Sequence, residues 1–77
     1  MLMECLDKLT IGDRAEIISV SANGGVAPRL LAMGLLPGVT AEVTGVAPFG
    51  DPLTVKINGC SISLRRADAA LVEAKKL

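Results

Sequence analysis

The most regular feature of the sequence is an alternation of apolar and polar residues in its second half. Every second residue is apolar over positions 53–57, and the same pattern returns over positions 60–64. Asn58 and Gly59 separate the two runs, and both residues tolerate the positive φ angles of a type I′ turn. The pattern predicts two β-strands joined as a tight hairpin.

Two further strands are predicted earlier in the chain. Positions 12–21 combine partial alternation with β-branched residues. Positions 39–44 place Val39, Ala41 and Val43 on one side of an extended chain and polar residues on the other side. Each strand therefore has one apolar row that needs a core.

The C-terminal segment is less clearly patterned. A helical turn is predicted over positions 65–68, and a closing strand over positions 70–74. The Ala-rich stretch 67–75 also suits a helix, because Ala has the highest helix propensity. The choice between strand and helix for this last segment stays open.

One short helix is predicted over positions 26–36. Pro28 suits a first helical turn, and Gly34 suits the left-handed residue that ends a helix. Helical spacing places one stripe of residues toward the core, with Arg29 and Met33 on the other side. The predicted buried stripe consists of Ala27, Leu30, Leu31 and Gly34.

Three connections are predicted around these elements. Positions 21–25 form a polar loop between the first strand and the helix. Pro37-Gly38 predicts a type II turn, since Gly supplies the positive φ of its third residue. Pro48, Gly50 and Pro52 mark a loop around Phe49.

These elements predict a mainly β fold. Five strands this short cannot bury their apolar faces as an open sheet. We therefore expect a small five-stranded barrel, with the helix inserted after the first strand and the helical turn before the last strand. The chain has 77 residues and a mass of 7.9 kDa. Two cores would each have fewer than the roughly 40 residues that fold unaided, so we expect one domain over 1–77, with 1–7 as an N-terminal extension.

The charge and side-chain inventory excludes several functions. Eight Lys and Arg residues balance eight Asp and Glu residues, and the chain has no His, no Trp and no Tyr. Nucleic-acid binding is disfavoured, because it needs a basic surface or aromatic platforms for bases. Catalysis is also disfavoured, because the commonest general base is absent. No catalytic residue is predicted.

Hydropathy and cysteine content indicate a cytoplasmic protein. Mean hydropathy is +0.53, but charges interrupt every stretch before it reaches the roughly 18 apolar residues of a membrane-spanning helix. The first seven residues carry acid where a signal peptide carries base, so Cys5 and Cys60 are expected to be reduced thiols. Cys60 shares an apolar row with Ile62 and Leu64 and is expected to be buried, whereas Cys5 is expected to be exposed.

Three motifs carry a resemblance to a known family. RLLAMGLLPG at positions 29–38, TAEVTGVAPFGDPLTVKING at 40–59 and SISLRRADA at 61–69 resemble the FeoA family of small bacterial ferrous-iron transport proteins. The resemblance implies an SH3-like five-stranded barrel with an inserted helix. It also implies a cytoplasmic accessory role for the membrane ferrous-iron transporter that carries a GTPase domain, without catalysis. The segment 1–7 and both cysteines depart from the family pattern.

The chain has more large apolar residues than so small a barrel can bury. Contiguous exposed apolar surface usually marks a partner site. We therefore expect a partner-binding surface at Arg29 and Met33 on the outer helix face, Leu36 at the helix end and Phe49 on its loop. The expected role is docking on the GTPase-containing part of the transporter.

A second hypothesis is a metal-responsive regulatory domain. In it, ferrous iron or another transition metal binds weakly at Cys5 or at surface carboxylates and changes the oligomeric state. No metal ligand set is predicted, because a closed site usually needs four nitrogen or sulfur ligands. The sequence does not decide whether the chain self-associates, whether a cysteine binds metal, which transporter surface is contacted or how GTPase activity responds.

Overall fold

The computed structural model of the chain describes residues 3–21 and 25–77. Within these residues the strands are β1 (Met3–Cys5), β2 (Arg14–Val20), β3 (Thr40–Val46), β4 (Leu53–Ile57), β5 (Cys60–Leu64) and β6 (Val72–Lys76). The helices are α1 (Ala27–Ala32), α2 (Arg66–Ala69) and a 3₁₀ helix (Leu6–Lys8). The predicted loop over 21–25 falls partly on residues 22–24, which lie outside the described residues.

The strands form one antiparallel sheet in the order β1-β6-β2-β3-β4-β5. The register shifts between Ile17 and Ser19 in the β2–β6 pair, and between Val43 and Gly45 in the β3–β4 pair. Such bulges bend a strand and increase its twist. The sheet wraps around one cluster of buried side chains, as predicted for a small barrel.

The predicted hairpin is confirmed. Leu53 faces Leu64 and Ile57 faces Cys60 across the β4–β5 ladder. Asn58 and Gly59 have φ angles of 51° and 82°, as a type I′ turn requires. Two apolar residues of the predicted rows, Val39 and Ile62, are only half-buried. The apolar residues of β2 to β5 that are buried are Ala15, Ile17, Ala41, Val43, Leu53, Val55, Ile57 and Leu64.

Cys60 is exposed, so the prediction that it is buried was wrong. It directly follows the turn and lies on β5, the last strand of the sheet. Strand alternation describes which way a side chain points, but burial also requires another element above that point.

The helix is shorter than predicted, and its buried face differs. α1 ends at Ala32, and Gly34 has a φ of 105°. The Gly34 N–H donates to the Leu31 carbonyl at 3.0 Å and the Leu35 N–H to the Leu30 carbonyl at 3.2 Å. These two bonds form a Schellman motif, which brings the second residue after the helix against its last turn.

The Schellman motif decides which leucine enters the core. Leu30 and Leu35 are fully buried, whereas Leu31 is 36% exposed. The prediction that Leu31 is buried was wrong: Leu31 lies within α1, on a face of the helix that the core does not cover. The predicted turn at Pro37-Gly38 is confirmed: Gly38 has a φ of 91°, and the Val39 N–H donates to the Leu36 carbonyl.

The predicted closing strand is confirmed, whereas the N-terminal segment differs from the prediction and adds a sixth strand to the five expected. The closing segment is a strand, β6, and it pairs with both β1 and β2. The segment 1–7, expected to be an unanchored extension, contains β1, with Met3 facing Lys75 across the ladder. Leu6 and Leu9 are buried in the core beside it. Cys5 is therefore half-buried rather than exposed.

Asp13 organises the turn before β2. Its carboxylate accepts hydrogen bonds from the Thr10 N–H at 2.9 Å and the Thr10 hydroxyl at 3.1 Å, and the Lys76 ammonium lies 3.5 Å away. The Thr10 N–H lowers the pKa of Asp13 most, partial burial opposes this, and the Thr10 hydroxyl and Lys76 lower it further. The ionised form therefore stabilises the folded state.

We expect Leu35→Ala to destabilise the protein far more than Leu31→Ala. Removing the buried Leu35 side chain leaves a cavity and should reduce the free energy of unfolding by about 2–5 kcal/mol. The same truncation at the partly exposed Leu31 should cost less than about 1 kcal/mol. Urea unfolding followed by far-ultraviolet circular dichroism measures both values. Equal losses would contradict the Schellman arrangement.

We expect Asp13→Asn to destabilise the protein in a pH-dependent way. The folded-state pKa is lowered, so the stabilisation is present above the unfolded-state pKa of about 3.9 and disappears as pH falls through the folded-state value. Asn retains a hydrogen-bond acceptor for Thr10 but no charge. The difference between wild type and variant in urea unfolding should be present at neutral pH and vanish in strong acid. A difference that persists unchanged in strong acid would contradict this assignment.

Candidate partner-binding site

Two of the four residues predicted to bind a partner lie in one cleft. Arg29 and Met33 line a surface cleft of about 230 Å³. The end of β5 and the start of α2 supply its other lining residues, Ser63, Leu64, Arg65 and Asp68. Leu36 and Phe49 do not line this cleft.

Arg29 forms an ion pair across the cleft. Its Nη2 donates to Asp68 Oδ2 at 2.6 Å, which connects α1 to α2. The Arg29 side chain remains 62% exposed. The Asp68 side chain is only 15% exposed, so the pair is open to solvent on the Arg29 side.

Met33 and Leu36 are placed differently from each other. Met33 is half-buried and packs against the core, so the prediction that it lies on the outer helix face was wrong. Met33 is the C-cap residue of α1, where the backbone turns toward Gly34 and the core. Leu36 follows the Schellman motif and is 46% exposed.

Phe49 is the aromatic residue of the chain and its side chain is 99% exposed. It lies in the loop of residues 47–52. The Gly50 N–H donates to the Ala47 carbonyl at 2.7 Å, and the Ala47 N–H to the Pro52 carbonyl at 3.1 Å. The loop is therefore folded back on itself, and the aromatic ring of Phe49 is exposed to solvent.

Arg66 attaches this loop to the barrel. Its Nε donates to the Gly50 carbonyl at 2.7 Å, and its Nη1 donates to the Asp7 carbonyl. Its backbone N–H donates to Asp51 Oδ1 at 2.9 Å, so the loop carboxylate also satisfies a free N–H at the start of α2. One residue thus joins the 47–52 loop, the 3₁₀ helix and α2.

Arg65 and Arg66 are adjacent in sequence but differ in burial, and Arg65 is exposed. Arg66 is half-buried because its fork of donors is used by backbone carbonyls. The only sequence signal for this contact was the acceptor-rich turn at Gly50-Asp51. The sequence of a turn does not specify which distant basic side chain its acceptors bind.

Arg66 lines a second, larger groove. Its volume is about 700 Å³, and it is lined by residues 7–11 together with Val46 and Arg66. Ile11 is exposed there, and the buried Asp7 Oδ1 has no hydrogen-bond partner in the described residues. None of the predicted partner-binding residues lies in this groove.

Metal-ligating and membrane features were searched within residues 3–21 and 25–77. These residues contain no group of three or more Cys, Asp or Glu side chains that could hold a metal ion. Cys5 and Cys60 are both free thiols. No helix in the described part of the chain is long and apolar enough to cross a membrane.

These features define a small antiparallel β-barrel with a short inserted helix. The sequence model described as the FeoA domain matches residues 5–76. The chain belongs to the FeoA family, as its motifs predicted.

Relatives of known description agree with this assignment. The chain is 40% identical over 70 residues to an Fe(2+) transport protein A/Fe(2+) transporter FeoB fusion protein of Porphyromonas gingivalis. The match covers 91% of the chain and only 8% of that relative's length.

Two solved structures show the same fold. The FeoA protein of Chlorobium tepidum is 40% identical, with a TM-score of 0.84 over 94% of this chain and 69% of that one. Stenotrophomonas maltophilia FeoA, crystallised with zinc and described as an SH3 domain protein, is 26% identical, with a TM-score of 0.80 over 97% and 91% of the two chains. The predicted SH3-like fold is confirmed.

We expect Arg66→Met to destabilise the protein by about 2 kcal/mol, because two carbonyls lose a charged donor. Arg65→Met is the matched control and should cost less than about 0.5 kcal/mol, since Arg65 is exposed. Arg66→Lys should recover only part of the loss, because an ammonium group lacks the planar fork of donors. Urea unfolding measures all three variants. An Arg65→Met loss as large as that of Arg66→Met would contradict the assigned role.

Proposed function

We propose that residues 1–77 act as one non-enzymatic docking module of a bacterial ferrous-iron uptake system. The module works in the cytoplasm and binds the GTPase-containing part of the membrane ferrous-iron transporter. Phe49, Leu36, Arg29 and the exposed part of Met33 supply the contacts.

The observation that carries the contact assignment is the exposure of Phe49. Its ring is almost wholly in solvent, although it is the one aromatic ring of the chain. Aromatic side chains are the commonest anchors of protein interfaces. The contacts of Arg66 with Gly50 and Asp51 support this role, because a loop held in one conformation loses little entropy when it binds. The exposed ring contributes nothing to the core.

The partner assignment is supported by the fused relative. In the Porphyromonas gingivalis protein a segment similar to this chain is joined to a FeoB transporter. Covalent fusion raises the effective concentration of two modules toward each other, which favours pairs whose separate affinity is modest. An interface of about 600–800 Å² per partner suits a regulatory contact of this kind.

The loop that carries Phe49 is linked to α1 through α2. Arg66 contacts the 47–52 loop, and Asp68, two residues further along α2, pairs with Arg29. α2 therefore connects the loop that presents Phe49 with the helix that presents Arg29. This connection supports a shared docking surface for these two residues.

The metal-responsive alternative has less support. A zinc complex is described for the Stenotrophomonas maltophilia protein, which is 26% identical to this chain. Cys5 lies in β1, pairs with Glu73 across the ladder and is half-buried. No described group of ligands surrounds it, so no observation on this chain favours metal sensing.

We expect Phe49→Ala to weaken binding to the purified cytoplasmic part of the transporter by about tenfold or more. Isothermal titration with the transporter domain in its GDP-bound and GTP-analogue-bound states measures the affinity. Thermal unfolding should be unchanged, because the ring makes no core contact.

Leu77→Ala is the matched control for Phe49→Ala, since Leu77 is also an exposed apolar residue but lies outside the 47–52 loop, after β6. It should bind like wild type. Equal affinity of wild type and Phe49→Ala would overturn the contact assignment, and an absence of wild-type binding in both nucleotide states would overturn the partner assignment.

A further inference from the structure

β5 is an edge of the sheet. It pairs with β4 on one side, and it stands last in the strand order. The opposite edge is β1, which has only three residues and contains Glu4. Short and charged edges resist pairing with other chains, and β5 is neither short nor charged.

The register identifies which backbone groups of β5 face outward. Ile57 and Cys60 flank a two-residue turn, so they exchange both backbone hydrogen bonds. Hydrogen-bonded and non-hydrogen-bonded pairs alternate along an antiparallel ladder, so Ile62 and Leu64 also bond to β4. The N–H and C=O groups of Ser61 and Ser63 therefore point away from the sheet.

Nothing in the described residues covers these groups. Ser61 and Ser63 are exposed and make no backbone hydrogen bond to another element of the described chain. The β5 sequence, Cys-Ser-Ile-Ser-Leu, lacks the Lys, Pro or bulge that natural proteins place on a free edge. An extended segment of about five residues could pair along its whole length.

The cleft beside this edge favours a segment that carries negative charge. β5 leads directly into Arg65, which lines the cleft together with Arg29. In the described part of the chain no carboxylate lies within ion-pair distance of Arg65, whereas Arg29 shares Asp68. A chain running along β5 therefore meets an unneutralised arginine where the strand ends.

We propose that β5 binds an extended acidic segment by β-strand addition. The segment donates to and accepts from the backbone of Ser61 and Ser63, and its acidic side chain pairs with Arg65 in the cleft. The identity of the partner rests on the proposed function: the segment belongs to the cytoplasmic part of the ferrous-iron transporter. The mode of binding rests on the edge and cleft alone.

Amide hydrogen exchange of the full chain, measured by NMR with and without the purified cytoplasmic part of the transporter, tests the pairing. The Ser61 and Ser63 amides should exchange at least tenfold more slowly in the complex, because they gain hydrogen bonds. The Ile62 amide, already bonded to β4, should change less. Unchanged exchange at both serines in a saturated complex would overturn the proposal.

Two substitutions test the contacts separately. Ser61→Pro removes an outward N–H without removing a bond to β4, and Arg65→Glu reverses the cleft charge. Each should weaken binding roughly tenfold. Ser61→Thr keeps the N–H, and Arg14→Glu makes the same charge change on β2, so both controls should bind like wild type. If Ser61→Pro fails to fold, the exchange data and Arg65→Glu still decide the outcome.

The outcomes separate this proposal from the docking proposal. Binding that Phe49→Ala weakens but Arg65→Glu and Ser61→Pro leave unchanged would overturn β-strand addition and leave docking intact. An absence of wild-type binding would overturn both. Serine protection that grows with chain concentration without transporter would assign the edge to a second copy and overturn the proposed occupant.

Discussion

The structure depends on one side chain that binds backbone carbonyls from separate parts of the chain. The Arg66 guanidinium contacts the carbonyls of Asp7 and Gly50, and its backbone N–H contacts Asp51. Asp7 follows β1 and Arg66 follows β5, which are the two ends of the sheet. Arg66 therefore joins the two ends of the sheet without a ladder of strand hydrogen bonds. Guanidinium suits this position because its donors are fixed in one plane.

The same contact separates folding from recognition. The 47–52 loop gains its shape from turn hydrogen bonds and from Arg66, so Phe49 is not needed to hold the loop. An aromatic side chain that makes no core contact can be changed to improve binding to a partner without loss of folding stability. The chain places its one aromatic residue where the core gains nothing from it, although aromatic side chains are among the most effective core residues.

Local patterns predicted those parts of the fold that local geometry decides. The hairpin follows from Asn58-Gly59 and alternation, and the inward rows of β3 and β4 follow from the strand period. The patterns failed where a distant contact decides. Leu35 enters the core because the helix ends early and the chain turns back there, and β1 forms because β6 offers it an edge. Cys60 is exposed at the free edge of the sheet. Of the candidate site, exposed Phe49 and Leu36 were predicted, but Arg66 was not, because its carbonyl partners lie up to 59 positions away in sequence.

The pairing of β1 with β6 has a consequence for how the barrel can be attached to another protein. Met3 and Lys75 are opposite each other in the ladder, so their Cα atoms are about 5 Å apart. A peptide tether joined upstream of Met3 or downstream of Lys76 would leave the barrel from nearly the same point. A partner could be fused before or after this chain, and the barrel would be held in a similar orientation in both cases. The length of tether required would also be similar for the two orders.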